Sequence, residues 1–167
     1  MKKTAIIIML TIAAAAFSCK DFMDKYFPSK ERKAIESYDK AVGEANLAFK
    51  AYEEAITKTE SIKLVDELKK SLDSEVIPKL DVYVKKLEEI KIELEDLANI
   101  HRVMIEAEKE LLGAMKKYSE NLAAENFNAK TDELQKTLEK IVAKEEDYRT
   151  KIEGFYNLHN FNLDKTQ

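Results

Sequence analysis

The chain has 167 residues, of which 36% are charged, and its formal net charge is −4. A net acidic chain lacks the basic face that nucleic-acid phosphates require, so we do not expect nucleic acid as a partner. Only three glycines and two prolines are present. This scarcity of turn-forming residues, together with the high charge, predicts an all-α protein built from long helices.

A short apolar segment opens the chain. Lys2 and Lys3 precede the run 5–16, which is apolar except for Thr11. A helix that crosses a bilayer needs roughly 20 apolar residues, which is more than this run offers. Two lysines before a short apolar run are instead typical of a cleavable signal peptide.

The four residues that follow, Ala16-Phe17-Ser18-Cys19, resemble the lipobox of bacterial lipoproteins. In that class the cysteine thiol receives a diacylglycerol, and cleavage makes the cysteine the new N-terminus. The resemblance therefore implies that residues 1–18 are removed and that Cys19 is lipidated. The class prefers leucine where this chain has Ala16. The alternative is ordinary secretion with a free thiol, because Ala16 and Ser18 also form a small-x-small cleavage site.

Lipidation would fix the location of the protein. Two acyl chains suffice for a stable membrane anchor, so the resemblance implies attachment to the cell envelope through Cys19 without a spanning helix. Many Gram-negative lipoproteins with aspartate after the cysteine stay in the inner membrane. This chain has Lys20 there, which favours the outer membrane and leaves the side of the membrane open. Residues 19–29 form the tether, whose aromatic residues either rest at lipid headgroups or fold back onto the domain.

The first helix is predicted at 30–58. Its apolar residues recur in steps of three and four, the heptad pattern of a coiled coil: Ile35, Tyr38, Val42, Ala45, Phe49, Tyr52 and Ile56. Beside them runs a row of alanines spaced by seven: Ala34, Ala41, Ala48 and Ala55. Small side chains let another helix approach closely. The row therefore predicts an interhelical contact surface, within the chain or, as the alternative, between copies in a homo-oligomer.

Three further helices are predicted at 61–76, 78–125 and 131–157. Pro78 lacks an amide donor and crowds the carbonyl four residues earlier, and the apolar stripe shifts by about one residue across it, so we expect a kink or break near 74–78. No turn signal interrupts 79–125, which predicts one very long helix. Thr131 is expected to cap the last helix. The helical domain, 30–160, is predicted to be an elongated antiparallel bundle of three to four long helices with coiled-coil-like packing.

His101 and Glu108 are the candidates for chemistry. They continue the apolar seam seven residues apart, so both are expected to face another helix. A buried histidine and glutamate can ligate a metal. We favour the hypothesis that the two residues form a buried polar layer, which fixes how the helices align along one another. The chain has one cysteine and two histidines, and neither histidine has a glutamate three residues before it, so we expect no cofactor and no enzyme activity.

The segment 155–161 is rich in aromatic residues. Phe155, Tyr156 and Phe161 form either a contact patch or the closure of the bundle end. Together these features predict a lipid-anchored, non-catalytic helical interaction module for adhesion, scaffolding or inhibition, with an unidentified protein partner. The alternatives are a self-assembling structural spacer and a small-ligand or metal carrier that uses the His101 layer.

Overall fold

The computed structural model describes residues 29–159 and residue 161, and all regular structure in them is helical. The α-helices are α1 (Lys30–Thr59), α2 (Val65–Ser71), α3 (Ile77–Glu88), α4 (Glu95–Asn121) and α5 (Phe127–Leu158). A π-helical turn, Leu72–Val76, joins α2 to α3, and a 3-10 turn, Ala124–Asn126, precedes α5. Four helical segments pack against one another: α1, the segment 65–88 that contains α2 and α3, α4 and α5. The all-α prediction is therefore confirmed for this part of the chain. The predicted signal peptide, Cys19, residues 20–28 of the predicted tether, residue 160 and residues 162–167 lie outside the described residues.

The start of α1 lies where the sequence predicts it. The Arg32 amide donates a hydrogen bond to Ser29 Oγ at 3.1 Å, which satisfies one of the free N–H groups of the first turn. Seven apolar residues form the heptad pattern of α1. Four of them are buried: Ile35, Tyr38, Ala45 and Tyr52. The other three are half-buried: Val42, Phe49 and Ile56. The apolar seam of α1 is therefore directed into the core.

The irregularity predicted near 74–78 is present as the π-helical turn, and the helix does not end there. The Ile77 amide bonds to the Leu72 carbonyl, five residues back, so this turn holds one residue more than an α-helical turn. A wider turn separates the Pro78 ring from the Ser74 carbonyl, which a regular helix would bring into collision. The extra residue also explains the shift of the apolar stripe. The predicted boundary between 61–76 and 78–125 is wrong, because one helical segment runs from Val65 to Glu88.

The very long helix predicted at 78–125 is also wrong. α3 ends at Glu88 and α4 begins at Glu95, and the connector between them contains neither glycine nor proline. Its apolar residues alternate with charged ones, a period of two that is typical of extended chain. Ile90, Ile92 and Leu94 pack against a core cluster, so burial of alternate side chains holds the connector extended.

The last helix begins four residues earlier than predicted. Thr131 does not cap it, because its hydroxyl donates to the Phe127 carbonyl, at 2.9 Å, inside the first turn. Asn126 organises the preceding turn instead. Its Oδ1 accepts from the Ala123 amide and its Nδ2 donates to the Asn121 carbonyl, each at 2.9 Å. One asparagine side chain thus joins the end of α4 to the start of α5.

The core has two apolar clusters. The larger includes residues of α1, α3, α4 and α5 and the π-helical turn. The smaller joins the start of α1 and the start of α4 to the end of α5. The helix surfaces carry ion pairs such as Lys109–Glu88, at 2.5 Å, which contribute roughly 0–1 kcal/mol each when exposed. Among the described helices, none is long and apolar enough to cross a membrane.

Candidate functional site

His101 belongs to a buried hydrogen-bond chain that joins α1, α3, α4 and α5. The imidazole is 3% exposed. Its Nδ1 lies 3.1 Å from the Tyr38 hydroxyl, which lies 3.0 Å from the Tyr148 hydroxyl. Its Nε2 lies 2.9 Å from the Leu87 carbonyl oxygen in the last turn of α3. His101 therefore caps α3 from the side, because the last carbonyls of a helix have no partner within it.

The geometry fixes where each proton lies. The Leu87 carbonyl can only accept, so Nε2 of His101 carries the proton and donates it. In a neutral imidazole Nδ1 then accepts, so the Tyr38 hydroxyl donates to it and accepts from the Tyr148 hydroxyl. Burial lowers the pKa of His101, against the opposing effect of the Leu87 carbonyl, and favours this neutral form. Burial raises the pKa of Tyr38, with Tyr148 adding to the effect.

Glu108 is the one described side chain with a fully enclosed oxygen that has no hydrogen-bond partner. The residue is 5% exposed, and its Oε2 is the unpaired atom. Burial, and second the charge of Glu145, raise the pKa of Glu108 to about 7. Glu145 is half-buried, and burial raises its pKa too. Burial raises the pKa values of Tyr52 on α1 and Tyr83 on α3, and the charge of Glu108 adds to both.

The structure does not bring His101 and Glu108 together as a metal pair. Both face the core, as the heptad predicts, but seven residues of helix separate their backbones by about 10.5 Å. Metal-ligand bonds are only about 2 Å long, and both ring nitrogens of His101 are already engaged. Among the described residues no group of three or more potential ligands could hold a metal ion.

Half of the alanine row lies inside the molecule. Ala48 and Ala55 are buried in the larger core cluster, while Ala34 and Ala41 are half-buried. Ala48 and Ala55 therefore contact other helices of the same chain. In this fold they are not available as an interaction surface for a second molecule.

The aromatic tail closes one end of the bundle. Phe155, Tyr156 and Phe161 are 6–8% exposed and belong to the smaller core cluster. The Phe161 amide donates to the Tyr156 carbonyl at 2.9 Å, and the two rings lie 5.2 Å apart. The exposed contact patch that the sequence left open is not formed by these three side chains.

Sequence reasoning missed an apolar cavity at the opposite end, where α1 ends and α5 begins. Its volume is about 360 Å³. Ten of its twelve lining residues are aliphatic or aromatic: Tyr52, Ile56, Ile62, Leu68, Leu72, Met115, Tyr118, Phe127, Leu134 and Leu138. Heptad positions identify these residues as core, but no sequence pattern shows that the core is incompletely filled there.

No family model, no curated protein and no solved structure matches this chain.

Proposed function

We propose that this protein is a lipid-anchored lipoprotein of the bacterial cell envelope that acts as a non-catalytic helical interaction module. The observation that carries the proposal is the sequence around Cys19, where two lysines, a short apolar run and a lipobox-like tetrapeptide follow one another. The outer membrane is the favoured location, because Lys20 follows the cysteine. The tether 19–29 then links the acyl chains to the helical domain.

We also propose that the domain is an elongated antiparallel bundle. Three cross-helix contacts support this arrangement. Tyr118 near the end of α4 bonds to Thr131 near the start of α5, while Glu110, earlier in α4, pairs with Lys144, later in α5. Ser119 donates to Asp73 at 2.5 Å, which pairs the end of α4 with the π-helical turn in the first half of the preceding helical segment. Neighbouring helices in this reading run in opposite directions.

The hydrogen bonds of the polar core residues support the interaction role rather than the carrier role. Both ring nitrogens of the buried His101 are hydrogen-bonded to groups of this molecule, so the imidazole has no free donor or acceptor for a substrate. A metal carrier that uses this layer is therefore not part of the proposal. A self-assembling spacer is the second candidate, because Ala34 and Ala41 remain partly accessible beside each other on α1.

The test is the substitution Cys19→Ala. We expect the variant to move from the membrane fraction to the soluble fraction, because it lacks the thiol that accepts the lipid. Mass spectrometry of the wild type should show a chain that begins at Cys19 and carries added acyl mass. The matched control is Lys20→Ala, which keeps the cysteine and should stay with membranes. A Cys19→Ala chain that remains on membranes, or a mature chain without acyl mass, contradicts the anchor.

A further inference from the structure

The cavity between the end of α1 and the start of α5 is a half-open cleft at the edge of the larger core cluster. Six apolar side chains around it are only half-buried: Ile56, Ile62, Leu68, Phe127, Leu134 and Leu138. Elsewhere Leu80, Leu87 and Leu97 have no exposed surface. Apolar surface left beside an unfilled space loses both its burial and its van der Waals partners. The lining is therefore stabilised by any apolar group that fills the space.

A second cavity of about 430 Å³ adjoins the first and shares Ile62, Leu68 and Phe127 with it. Binding pockets for small molecules usually measure roughly 300–1,000 Å³ and are lined mainly by apolar side chains. In another protein an apolar cavity of about 150 Å³ holds benzene. The first cavity is more than twice that volume, so it can accept a group larger than one aromatic ring.

The polar groups of the lining define the class of occupant. The Thr59 hydroxyl donates to the Ile56 carbonyl at 2.6 Å, and the Tyr118 hydroxyl bonds to Thr131 at 3.0 Å, so both are already paired. The charged residues that line the two cavities are Glu60, Lys63 and Glu125, two acidic and one basic. This balance does not favour an anionic ligand. The charge and the apolar walls fit an uncharged molecule.

The cover of the cavity is the weakest-packed helix of the fold. α2 has seven residues, none of them fully buried, and its first turn has no side-chain cap. Leu64, directly before it, is 61% exposed. Segments with few buried contacts open locally at low free-energy cost. Because α2 continues into the π-helical turn, where Leu72 is buried, its first turns can open to admit a ligand while the rest of the bundle stays folded.

We propose that this cavity is a binding site for one uncharged apolar molecule of alkyl or aryl type, with α2 as its cover. The proposal does not rest on lipidation of Cys19 or on the interaction role, because it follows from the cavity and its lining alone.

The experiment titrates the full chain carrying Cys19→Ala, which has no acyl group to bind the probe, with N-phenyl-1-naphthylamine, a neutral dye that fluoresces in apolar surroundings. We expect saturable binding of one dye per chain and a higher melting temperature in its presence. Leu138→Phe places a ring into the cavity and should weaken binding at least tenfold. Leu68→Phe, from the cover, should do the same if the first variant does not fold.

The matched control is Val142→Phe, which adds the same ring to α5 at a position that is 50% exposed and outside the lining. It should bind the dye as the parent does. The anionic dye 1-anilinonaphthalene-8-sulfonate should bind more weakly than the neutral one. Absence of saturable binding, equal binding by the filled variants, or a preference for the anionic dye overturns the proposal.

Discussion

At Glu108 the core encloses one carboxyl oxygen, Oε2, without giving it a partner. A native protein rarely leaves such an atom unsatisfied, because an unpaired buried charge is destabilising. The charge of Glu145 also raises the pKa of Glu108, after burial. Protonation removes the charge, so the stability of the fold depends on pH at this residue.

The sign of that dependence follows from the pKa of Glu108, which rises from 4.5 to about 7 on folding. The folded state holds the proton more tightly, so the group destabilises the fold as pH rises from about 4.5, with the full effect above about 7. A difference of this size corresponds to at most about 3 kcal/mol. We therefore expect the contribution of Glu108 to the free energy of unfolding to increase as pH falls from 8.5 to 5.5, while the lowered pKa of His101 acts in the opposite direction below about 6.5.

Glu108→Gln should remove most of this dependence. At pH 8.5 the variant should be more stable than the wild type, because a neutral amide replaces a buried charge, and near pH 4.5 the two should be similar. Urea unfolding followed by circular dichroism measures the difference. Glu106→Gln, at an exposed position of the same helix, is the control. Because His101 is present in both proteins, the difference between wild type and Glu108→Gln isolates the effect of Glu108. An equal pH dependence in both contradicts the burial of a charged Glu108.

At the scale of the elements, periodicity predicts most of the helices and their buried faces. α1 is recovered almost residue by residue, because its heptad pattern and the Ser29 cap are both local signals. The inward placement of His101 and Glu108 follows from the same pattern. The hydrogen-bond partners of His101 do not, since Tyr38 and Tyr148 come from helices distant in sequence.

The break between α3 and α4 could not be predicted from turn-forming residues, because none is present between 89 and 94. The alternation of Ile90, Ile92 and Leu94 with charged residues is the signal that indicates extended chain. The helical periodicity of the residues on both sides of it instead favours one continuous helix. Tertiary contacts decide the outcome. The connector packs on the smaller core cluster, and His101 adds a second hydrogen bond to the Leu87 carbonyl, which also accepts from the Ile90 amide at 3.3 Å.

His101→Leu tests this explanation. The substitution removes one of two hydrogen bonds at the Leu87 carbonyl, which keeps the Ile90 amide at 3.3 Å. It also removes one of two at the Tyr38 hydroxyl, which keeps Tyr148. A lost hydrogen bond costs about 0.5–1.5 kcal/mol. We expect lower stability and faster amide hydrogen exchange in the last turn of α3 and the connector. His159→Leu, which changes the exposed histidine after α5, should leave both unchanged. Unaltered exchange around residues 85–90 in His101→Leu would show that other contacts hold the break.

At the scale of the whole molecule, the burial of apolar side chains distinguishes the interaction module from the self-assembling spacer. Ala48, Ala55 and the three tail aromatics lie in the core, so little apolar surface that the sequence offered for self-association remains. We expect the Cys19→Ala chain to be monomeric at micromolar concentrations. Multi-angle light scattering measures the mass directly. A mass that grows with concentration would favour the spacer, and Ala41→Glu should then restore the monomer.

The two ends of the described helical domain give it a direction. Glu31 and His159 approach to 3.9 Å, so the start of α1 and the end of α5 lie at one pole. The 30 residues of α1 place the opposite pole about 45 Å away. If the proposed anchor lies at the pole of Glu31 and His159, the cavity beside α2 lies at the pole farther from the bilayer. An apolar ligand would then reach the cavity from the aqueous phase rather than by lateral diffusion out of the lipid.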